Sequence, residues 1–345
     1  MPVIKPKALT ELVASIFQAA GAPESTAQLV ARSLVSSDLV GHASHGVVRV
    51  KQYLDAIAAG DVDPRAEPRI VRETPVIAVV DGQWSFGQVA AHFSMEVGIE
   101  KARNLGLSAV ALDRAYHVGR LGEWVQMAAD AGMIGLAFCN GGRVGGAVAP
   151  FGGRGRILGT NPIAAGIPVA GRPPVIIDFA TSATAEGKLR VARNRGQSIP
   201  EGWIVGPDGQ PSTNPEDFYA GGALLPAAGH KGYGLSLLVE FLGGLLTGRG
   251  VPAFEGFKPG NGVLFLVLAV EPFRDRDAFL AEAAELCQRV KSTPPAAGFD
   301  EVLLPGEPEW RTASRRAEEG IPVDDATWGQ LAEAAARYGV SMPEA

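Results

Sequence analysis

The chain has 345 residues, 46% of them hydrophobic, which is enough for one large core or for two or three domains that share one. Its 31 basic and 37 acidic side chains leave a net charge of −6 without long blocks of either sign, so neither a nucleic-acid surface nor an anionic-membrane surface is indicated. Cys139 and Cys287 cannot build a disulfide framework, and the polar start is unlike a signal peptide. We therefore expect a cytoplasmic protein whose partner is a small molecule.

The start of the chain predicts helices. Apolar residues recur at helical spacing through 9–20, and Gly21 ends that pattern. Pro23 opens a second amphipathic helix, and residues 45–59 show a third helical pattern. The protein is thus predicted to begin with a helical unit.

A connector ends this unit. One glycine and two prolines within 60–68 precede an apolar run at 75–80, so we expect a boundary near residue 70. We interpret Asp81-Gly82, which follows the run, as the turn of a β-hairpin, because this dipeptide suits tight turns.

Strand and helix patterns then alternate, which is typical of a mixed α/β core. The predicted strands are 108–112, 133–139, 163–169, 174–179 and 262–270. The predicted helices are 121–131, 233–246 and 274–290, and two polar amphipathic helices close the chain after Gly306.

The most apolar stretch is 234–246. Ser236 and Glu240 interrupt it, and it is shorter than the roughly 20 residues that a membrane-spanning helix needs. We expect a buried helix.

A nicotinamide site of the Rossmann type would need the spacing G-x-G-x-x-G between a strand and a helix. No window of the chain has that spacing, although it contains 44 glycines. A Rossmann site is therefore disfavoured.

A first polar cluster surrounds the third helical pattern. If the helix starts at His45, then His45, Arg49 and Tyr53 share one face, beside Ser44. The planar fork of arginine suits a carboxylate, and histidine titrates near neutral pH, where it can donate or accept a proton. The alternative is an ordinary solvated helix face.

A second cluster follows the predicted strand 108–112 and contains His117. Strand ends that open onto loops often carry reactive groups in α/β proteins, so His117 is a second acid/base candidate. The alternative is a structural loop histidine.

Two further polar segments could hold a nucleotide. The segment from Asp178 to Ser182 follows a hydrophobic strand, and its hydroxyls and backbone N–H groups suit ribose and phosphate oxygens. Lys231 stands at the start of the apolar helix, where a positive charge is unfavourable unless an anion binds there. We expect that anion to be a cofactor phosphate.

His42 and His45 lie close together in sequence, with Asp38 nearby, and such residues could belong to a metal site. The remaining histidines stand in separate contexts, so no ligand set converges and no metal is expected.

A series of segments carries a family resemblance: GHASHGVVR, HVGRLG, APFGG, GTNPIAAGIP, IIDFATSATAEGK, IPEGWIVGPDG, PAAGHKGYGLSLLVE and LLPGEPE. On these segments, over residues 9–338, the chain resembles the type-2 malate/L-lactate dehydrogenases. That family includes sulfolactate, ureidoglycolate and hydroxycarboxylate dehydrogenases and cyclic imino-acid reductases. FGQVAAH and HVGRLGEW look closest to the hydroxycarboxylate branch.

The resemblance implies a mixed α/β protein with a non-Rossmann nicotinamide-binding fold. A mainly antiparallel mixed sheet, in a domain formed by 71–305, would carry NAD or NADP. Residues 1–70 would pack with the helices of 306–345 as a helical unit on the substrate side. Homodimers are usual in the family, with the substrate near the subunit interface.

The resemblance also implies site residues. Either His45 or His117 would be the proton donor and acceptor, with Arg49 as a catalytic partner and with Ser44 and Tyr53 lining the substrate pocket. The implied cofactor contacts are Asn140, Asp178, Phe179, Ala180, Thr181, Ser182, His230, Lys231, Gly306 and Glu307.

The expected reaction is hydride transfer between NAD(P) and a small 2-hydroxy/2-oxo acid. Reduction of a cyclic imino acid would need the same carboxylate clamp, and sequence does not separate the two. A metal-dependent hydrolase that uses His42 and His45 is a more remote alternative, as is a non-catalytic binding protein.

Two departures from the family pattern are visible. Arg114-Ala115-Tyr116 stands where relatives often have Asn-Ser before the second histidine, and the loop 140–150 looks longer than usual. Arg143 in that loop is expected to contact an anionic group or, as the favoured interpretation, to project into solvent.

Overall fold

The computed structural model of the chain describes residues 1–343. Its first part contains β1 (Val3–Ile4), α1 (Pro6–Ala19), α2 (Glu24–Leu39), two 3₁₀ turns (Ala43–His45 and Val47–Arg49) and α3 (Val50–Ala59). The two amphipathic helices predicted at the start are confirmed, because their periodic apolar residues are the buried ones.

The next part supplies most of a sheet. Its elements are β2 (Arg69–Glu73), β3 (Ile77–Asp81), α4 (Gly87–Leu105), β4 (Leu107–Ala115), α5 (Leu121–Asp130), β5 (Ile134–Gly142), β6 (Pro162–Ile167) and β7 (Val175–Ala180). A small lobe follows, with α6 (Glu186–Asn194), β8 (Ile204–Val205), β9 (Pro211–Ser212), α7 (Pro215–Tyr219) and β10 (Ala223–Leu224). The chain then returns to the sheet through α8 (His230–Val239), a π-helical segment (Glu240–Leu245), β11 (Gly260–Leu268) and α9 (Arg276–Lys291).

The main sheet has seven strands in the order β2-β3-β4-β11-β5-β6-β7. Only the β3–β4 pair is parallel among these described strands, and the other neighbours are antiparallel. The expected mixed, mainly antiparallel sheet is confirmed.

Both ends of the chain build the helical unit. The last elements are α10 (Glu307–Glu319), β12 (Ile321–Pro322) and α11 (Asp325–Tyr338), and β12 pairs antiparallel with β1. One hydrophobic core joins residues of α1, α2 and α3 with Leu331 and Ala335 of α11, whereas a second core lies against the sheet. The first core also takes in Phe86, and the division near residue 70 stays a prediction.

The Asp81-Gly82 hairpin prediction is wrong. After Asp81 the chain enters α4 and returns as β4, which pairs parallel with β3. Asp and Gly also suit the exit from a parallel strand, and the strand partner lies beyond a whole helix, so a local pattern does not reveal it.

The prediction of one continuous helix over 45–59 is wrong at its start, because α3 begins only at Val50 and the preceding residues form 3₁₀ turns. The expectation that 234–246 is buried is also wrong. The sheet covers one side of this helix, and several large apolar side chains on it are exposed, namely Leu235, Leu238, Phe241, Leu245 and Leu246. Among residues 1–343, no helix is both long and apolar enough to cross a membrane.

Candidate active site

Two histidines from distant parts of the chain meet face to face. The rings of His45 and His117 are stacked, with centroids 5.5 Å apart and an interplanar angle of 20°. His45 lies on the first 3₁₀ turn, and His117 follows the end of β4. The structure therefore brings together the two acid/base candidates that sequence had left as separate alternatives.

Tyr53 and Gln88 extend this group behind His117. The Tyr53 hydroxyl lies 2.8 Å from Nδ1 of His117, and Nε2 of Gln88, on α4, donates to the Tyr53 hydroxyl at 2.7 Å. Tyr53 and Gln88 are both 0% exposed. We call these four residues the histidine cluster. A pocket-lining role for Tyr53 stays a prediction, and in the structure its hydroxyl faces His117.

A buried carboxylate holds the turn that carries His45. Oδ2 of Asp38 accepts a hydrogen bond of 2.7 Å from the backbone N–H of Val47, and a Cβ on Gly46 would lie 2.0 Å from the same carboxylate. Only glycine fits there, so Asp38 and the turn pack in direct contact. Burial raises the pKa of Asp38 to about 7, although the Val47 hydrogen bond opposes the shift.

Ser44 and Arg49 complete the surroundings of His45. The Ser44 hydroxyl lies 3.0 Å from Nδ1 of His45. Arg49 donates through Nε to the Ser44 carbonyl and through Nη1 to Oε1 of Gln52, each at 2.6 Å, while Nη2 has no partner among residues 1–343. The second arm of the guanidinium is therefore free for a ligand.

Both imidazoles are kept neutral at pH 7. Burial first, and then the Arg49 charge, lowers the pKa of His45 to about 4. The same two causes, in the same order, lower the pKa of His117 well below its usual value. A neutral imidazole has one N–H donor and one bare nitrogen, so each ring can donate one proton in a hydrogen bond and accept another.

A cleft of about 450 Å³ lies between β7, the start of α5 and the segment before α10. We call it the β7 cleft; its lining includes His42, Arg120, Asp178, Phe179, Gly306 and Glu309. Arg120 is only 5% exposed, no carboxylate of residues 1–343 lies within 4.0 Å of it, and its Nε has no hydrogen-bond partner. The Arg120 charge acts on the buried carboxyl groups of Asp178 and Glu123, where it opposes the rise of their pKa values, but its Nε has no acceptor among the described residues. An anion in the cleft would supply that acceptor.

The β7 cleft adjoins the histidine cluster. His42 and Arg120, which line it, both contribute positive charge that lowers the pKa of His45. Nε2 of His42 lies 3.1 Å from Oε1 of Glu309. Within residues 1–343 no group of three potential metal ligands occurs.

The predicted nucleotide-binding segments lie in and beyond this cleft along the chain. Oδ2 of Asp178 accepts from the Gly122 N–H at 2.7 Å, and burial raises the pKa of Asp178. Ser182 pairs with Pro226, in the loop that leads to His230 and Lys231 at the start of α8. Lys231 is exposed, and the His230 ring lies 5.9 Å from the Phe151 ring.

The residues expected to touch a cofactor fall into two classes. Phe179 and Gly306 line the β7 cleft, and Ala180 and Thr181 continue it along the chain. Glu307, by contrast, is paired with Lys291 through both carboxylate oxygens, at 2.6 and 2.7 Å, which helps to lower its pKa to about 2. Its carboxylate stabilises the turn before α10.

Asn140 belongs to a buried polar network. Its Nδ2 donates to Oε2 of Glu240 at 3.0 Å, and Oε1 of Glu240 accepts from Nδ2 of Asn161 at 2.8 Å. Asn140 is 0% exposed, so its side chain fastens the π-helical segment to the sheet. Its predicted cofactor contact stays a prediction.

Arg114 and Arg143, the two unusual arginines, have partners of their own. Nε of Arg114 donates to Oδ1 of Asp81 at 2.8 Å, and Nε of Arg143 donates to the Gly146 carbonyl at 3.1 Å. Arg143 is exposed. These contacts do not bring either arginine to the histidine cluster.

Sequence reasoning missed Gln88 and Arg120. Gln88 follows Gly87 at the start of a helix, where a glutamine looks like any solvated residue. Arg120 stands between Val118 and Leu121, both buried, and a charge in such a stretch was the available signal.

Comparison with known proteins identifies the family of the chain. The sequence profile of the malate/L-lactate dehydrogenase family matches residues 4–332. The chain belongs to this family. It is 37% identical over 343 residues to a malate dehydrogenase of Pyrococcus abyssi, which covers 96% of the chain and 94% of that protein.

Members with other names are nearly as similar. Hydroxycarboxylate dehydrogenase B of Escherichia coli O157:H7 is 36% identical over 348 residues, with 97% of this chain and 94% of that protein covered. The structure of Δ1-piperideine-2-carboxylate reductase from Pseudomonas syringae superposes with a TM-score of 0.86 at 32% identity, over 97% of this chain and 100% of that one. The family resemblance is confirmed, and the chain is a dehydrogenase of this family.

Proposed function

We propose that this family member transfers a hydride between NAD or NADP and the C2 carbon of a small 2-hydroxy/2-oxo acid. The observation that carries the proposal is the stacked pair of His45 and His117 beside the partly free guanidinium of Arg49. Such a site can hold a carboxylate and a carbonyl oxygen at the same time.

Arg49 orients the substrate. Its Nε and Nη1 are fixed by the protein, so the guanidinium has a defined direction and Nη2 remains for the substrate carboxylate. A charge-assisted hydrogen bond from a preorganised donor costs little reorganisation, which favours this role.

One histidine handles the proton. In the reductive direction, negative charge grows on the keto oxygen, and an imidazole N–H that donates to this oxygen stabilises the charge. The histidine that delivers the proton does so from its protonated form and is left as a neutral ring. A carboxylate bound at Arg49 offsets the positive charge that lowers the pKa of both histidines. We therefore expect substrate binding to raise these pKa values toward neutrality.

The β7 cleft suits the nicotinamide cofactor. Its buried Arg120 Nε lacks a partner, which is the feature expected where a phosphate binds, and Phe179 and Gly306 offer flat and close-approach surfaces beside it. Asp178, Phe179, Ala180, Thr181, Ser182, His230 and Lys231 would continue the contact, with Gly306 on the opposite wall. When bound, the cofactor supplies or accepts the hydride.

A homodimer is part of the proposal. Phe241 and Leu246, on the π-helical segment and just after it, are 58% and 63% exposed, and Leu238 is 41% exposed. Apolar residues grouped on one helix face are typical of an interface, and a second copy of the chain is the expected partner. Phe241→Glu should shift the sedimentation of the protein from dimer to monomer, whereas exchange of the exposed Phe273, outside this face, should not.

Reduction of a cyclic imino acid is the second candidate, and the similarity to the piperideine-2-carboxylate reductase favours keeping it. The same arginine would hold the carboxylate, and the proton would go to nitrogen instead of oxygen. A panel of 2-oxo acids and cyclic imino acids, each with NADH and NADPH, separates the two candidates by the loss of nicotinamide absorbance.

The histidine roles are tested by His45→Ala and His117→Ala. Replacement of the histidine that protonates the substrate should lower kcat by about 10² to 10⁴-fold. His92→Ala is the control, because His92 lies on α4 next to Glu96 and away from the cluster. If both variants in the cluster keep wild-type kcat on every active substrate, the proposed mechanism is wrong.

A further inference from the structure

The hydrogen bonds in the histidine cluster run in a defined order from donor to acceptor, which the family resemblance does not indicate. Gln88 Nε2, the Tyr53 hydroxyl and His117 Nδ1 follow one another at 2.7 and 2.8 Å. Gln88 and Tyr53 have no exposed surface, so water does not compete for these hydrogen bonds.

We propose that Gln88 is a positioning residue that holds His117, through Tyr53, in the neutral tautomer with its proton on Nε2. This inference rests on the proposed function for its catalytic consequence. Its structural statement, which ring nitrogen carries the proton, stands independently.

Tyr53 donates its hydroxyl proton to His117. A buried phenol is hard to ionise, and burial raises the pKa of Tyr53 above its usual value, so the O–H proton is always present. The amide N–H of Gln88 occupies a lone pair of the Tyr53 oxygen. The Tyr53 proton is then directed to the remaining neighbour, Nδ1 of His117.

His117 carries its ring proton on Nε2. Because Nδ1 accepts the Tyr53 proton, the single proton of the neutral ring lies on Nε2. The ring therefore offers an Nε2–H donor on the side away from Tyr53. An N–H in this position can donate to a keto oxygen, whereas the other tautomer would present a bare nitrogen and repel it.

The amide of Gln88 decides which atoms donate and which accept. Its orientation sets the direction of the whole chain of hydrogen bonds, because an amide oxygen facing Tyr53 would accept the phenol proton and reverse every donor. The structure places the nitrogen toward Tyr53, while Oε1 is buried without a partner. Gly87 packs α4 against this loop, since a Cβ there would lie 2.2 Å from the His117 carbonyl oxygen.

The test reads the tautomer directly. The chain has five histidines, so ¹⁵N-histidine labelling of the full-length protein and long-range ¹H–¹⁵N correlation spectra resolve the ring nitrogens. His117→Gln assigns its signal by its disappearance. In the wild type we expect His117 with unprotonated Nδ1 and protonated Nε2, and the reverse pattern overturns the proposal.

Variants test the path. Gln88→Leu removes the donor, so we expect a mixture of both His117 tautomers, a fall in kcat of about tenfold and little change in KM for the 2-oxo acid. Tyr53→Phe removes the middle member and should free Nδ1 of His117 in the same way. A wild-type His117 spectrum in both variants overturns the proposal.

The matched control is Ser94→Ala. Ser94 is buried on the same helix, and its hydroxyl bonds the Ala90 carbonyl at 2.8 Å, without contact to the cluster. It should keep the His117 tautomer and kcat. If no 2-oxo or imino acid is turned over, the proposed function fails, while the spectra still decide the tautomer.

Discussion

The histidine cluster and the β7 cleft lie side by side but solve the burial of polar groups differently. In the cluster, Gln88, Tyr53 and His117 form a chain of hydrogen bonds, and Oε1 of Gln88 is the atom left without a partner. In the cleft, the buried Nε of Arg120 has no partner. A chain of hydrogen bonds fixes the geometry of reacting groups, whereas a buried cationic nitrogen without an acceptor favours an anionic ligand.

The positive charges of Lys231 and Arg120 also differ in their exposure to solvent. Lys231, the phosphate anchor expected from sequence, is an exposed side chain that water can solvate. Arg120 is buried and gains much more from an anion, because the cost of its burial is already present in the free protein. We therefore expect Arg120 to be the stronger anchor for a phosphate.

The largest effect is expected at Arg49, which lies beside the histidine cluster and has one free arm. Arg49→Leu removes the substrate clamp and should lower kcat/KM for a 2-oxo acid by about 10³-fold, while Arg49→Lys, which keeps the charge but loses the planar fork, should restore part of it. Steady-state kinetics measure both. Lys51→Leu, next to it and paired with Asp55, should stay close to wild type. Equal losses in the Lys51 and Arg49 variants would exclude a specific clamp.

The next largest effect is expected on cofactor binding when Arg120 is replaced. Arg120→Met should weaken the binding of NADH and of ADP-ribose by about 10 to 100-fold, as measured by fluorescence titration and calorimetry, because one charge-assisted contact to phosphate is lost. Arg114→Met is the control, since Arg114 is exposed and paired with Asp81. Unchanged affinity in Arg120→Met would show that the cleft does not bind the cofactor phosphates.

The smallest effect concerns Asp38, behind the cluster. Its pKa is raised to about 7 from 3.8, so folding favours the protonated form; this contribution is complete below pH 4 and is lost as the pH rises to 7. Asp38→Asn should therefore stabilise the protein by about 2 kcal/mol at pH 8 and by close to nothing at pH 4. Urea unfolding at the two pH values checks this, and an equal difference at both would contradict it.

Much of the fold could be predicted, because α1, α2 and α5 are amphipathic and β4, β5 and β11 are apolar runs. α4 was not found by periodicity, because its buried face consists largely of small residues such as Ala90, Ala91 and Gly98. The β3–β4 pairing was misread because it joins strands on either side of that helix.

The site was predicted by residue type more than by geometry. His45 and Arg49 are close because two 3₁₀ turns fold back on Asp38, and not because they lie one turn apart on a helix. Tyr53, the hydrogen-bond partner of His117, lies on α3, 64 residues earlier in the chain. Only tertiary packing creates this contact. Gln88 and Arg120 were missed for the same reason, since nothing local reveals what surrounds a buried polar side chain.

Helix α4 has a consequence for motion. Phe86, immediately before it, is buried in the helical unit, Met95 is buried against the sheet, and Gly87 touches the backbone of His117. A rotation of one group of elements against the other would disturb these contacts and would pull Gln88 and Tyr53 apart. We therefore expect ligand entry to depend on local rearrangement at the rim of the β7 cleft more than on such a rotation.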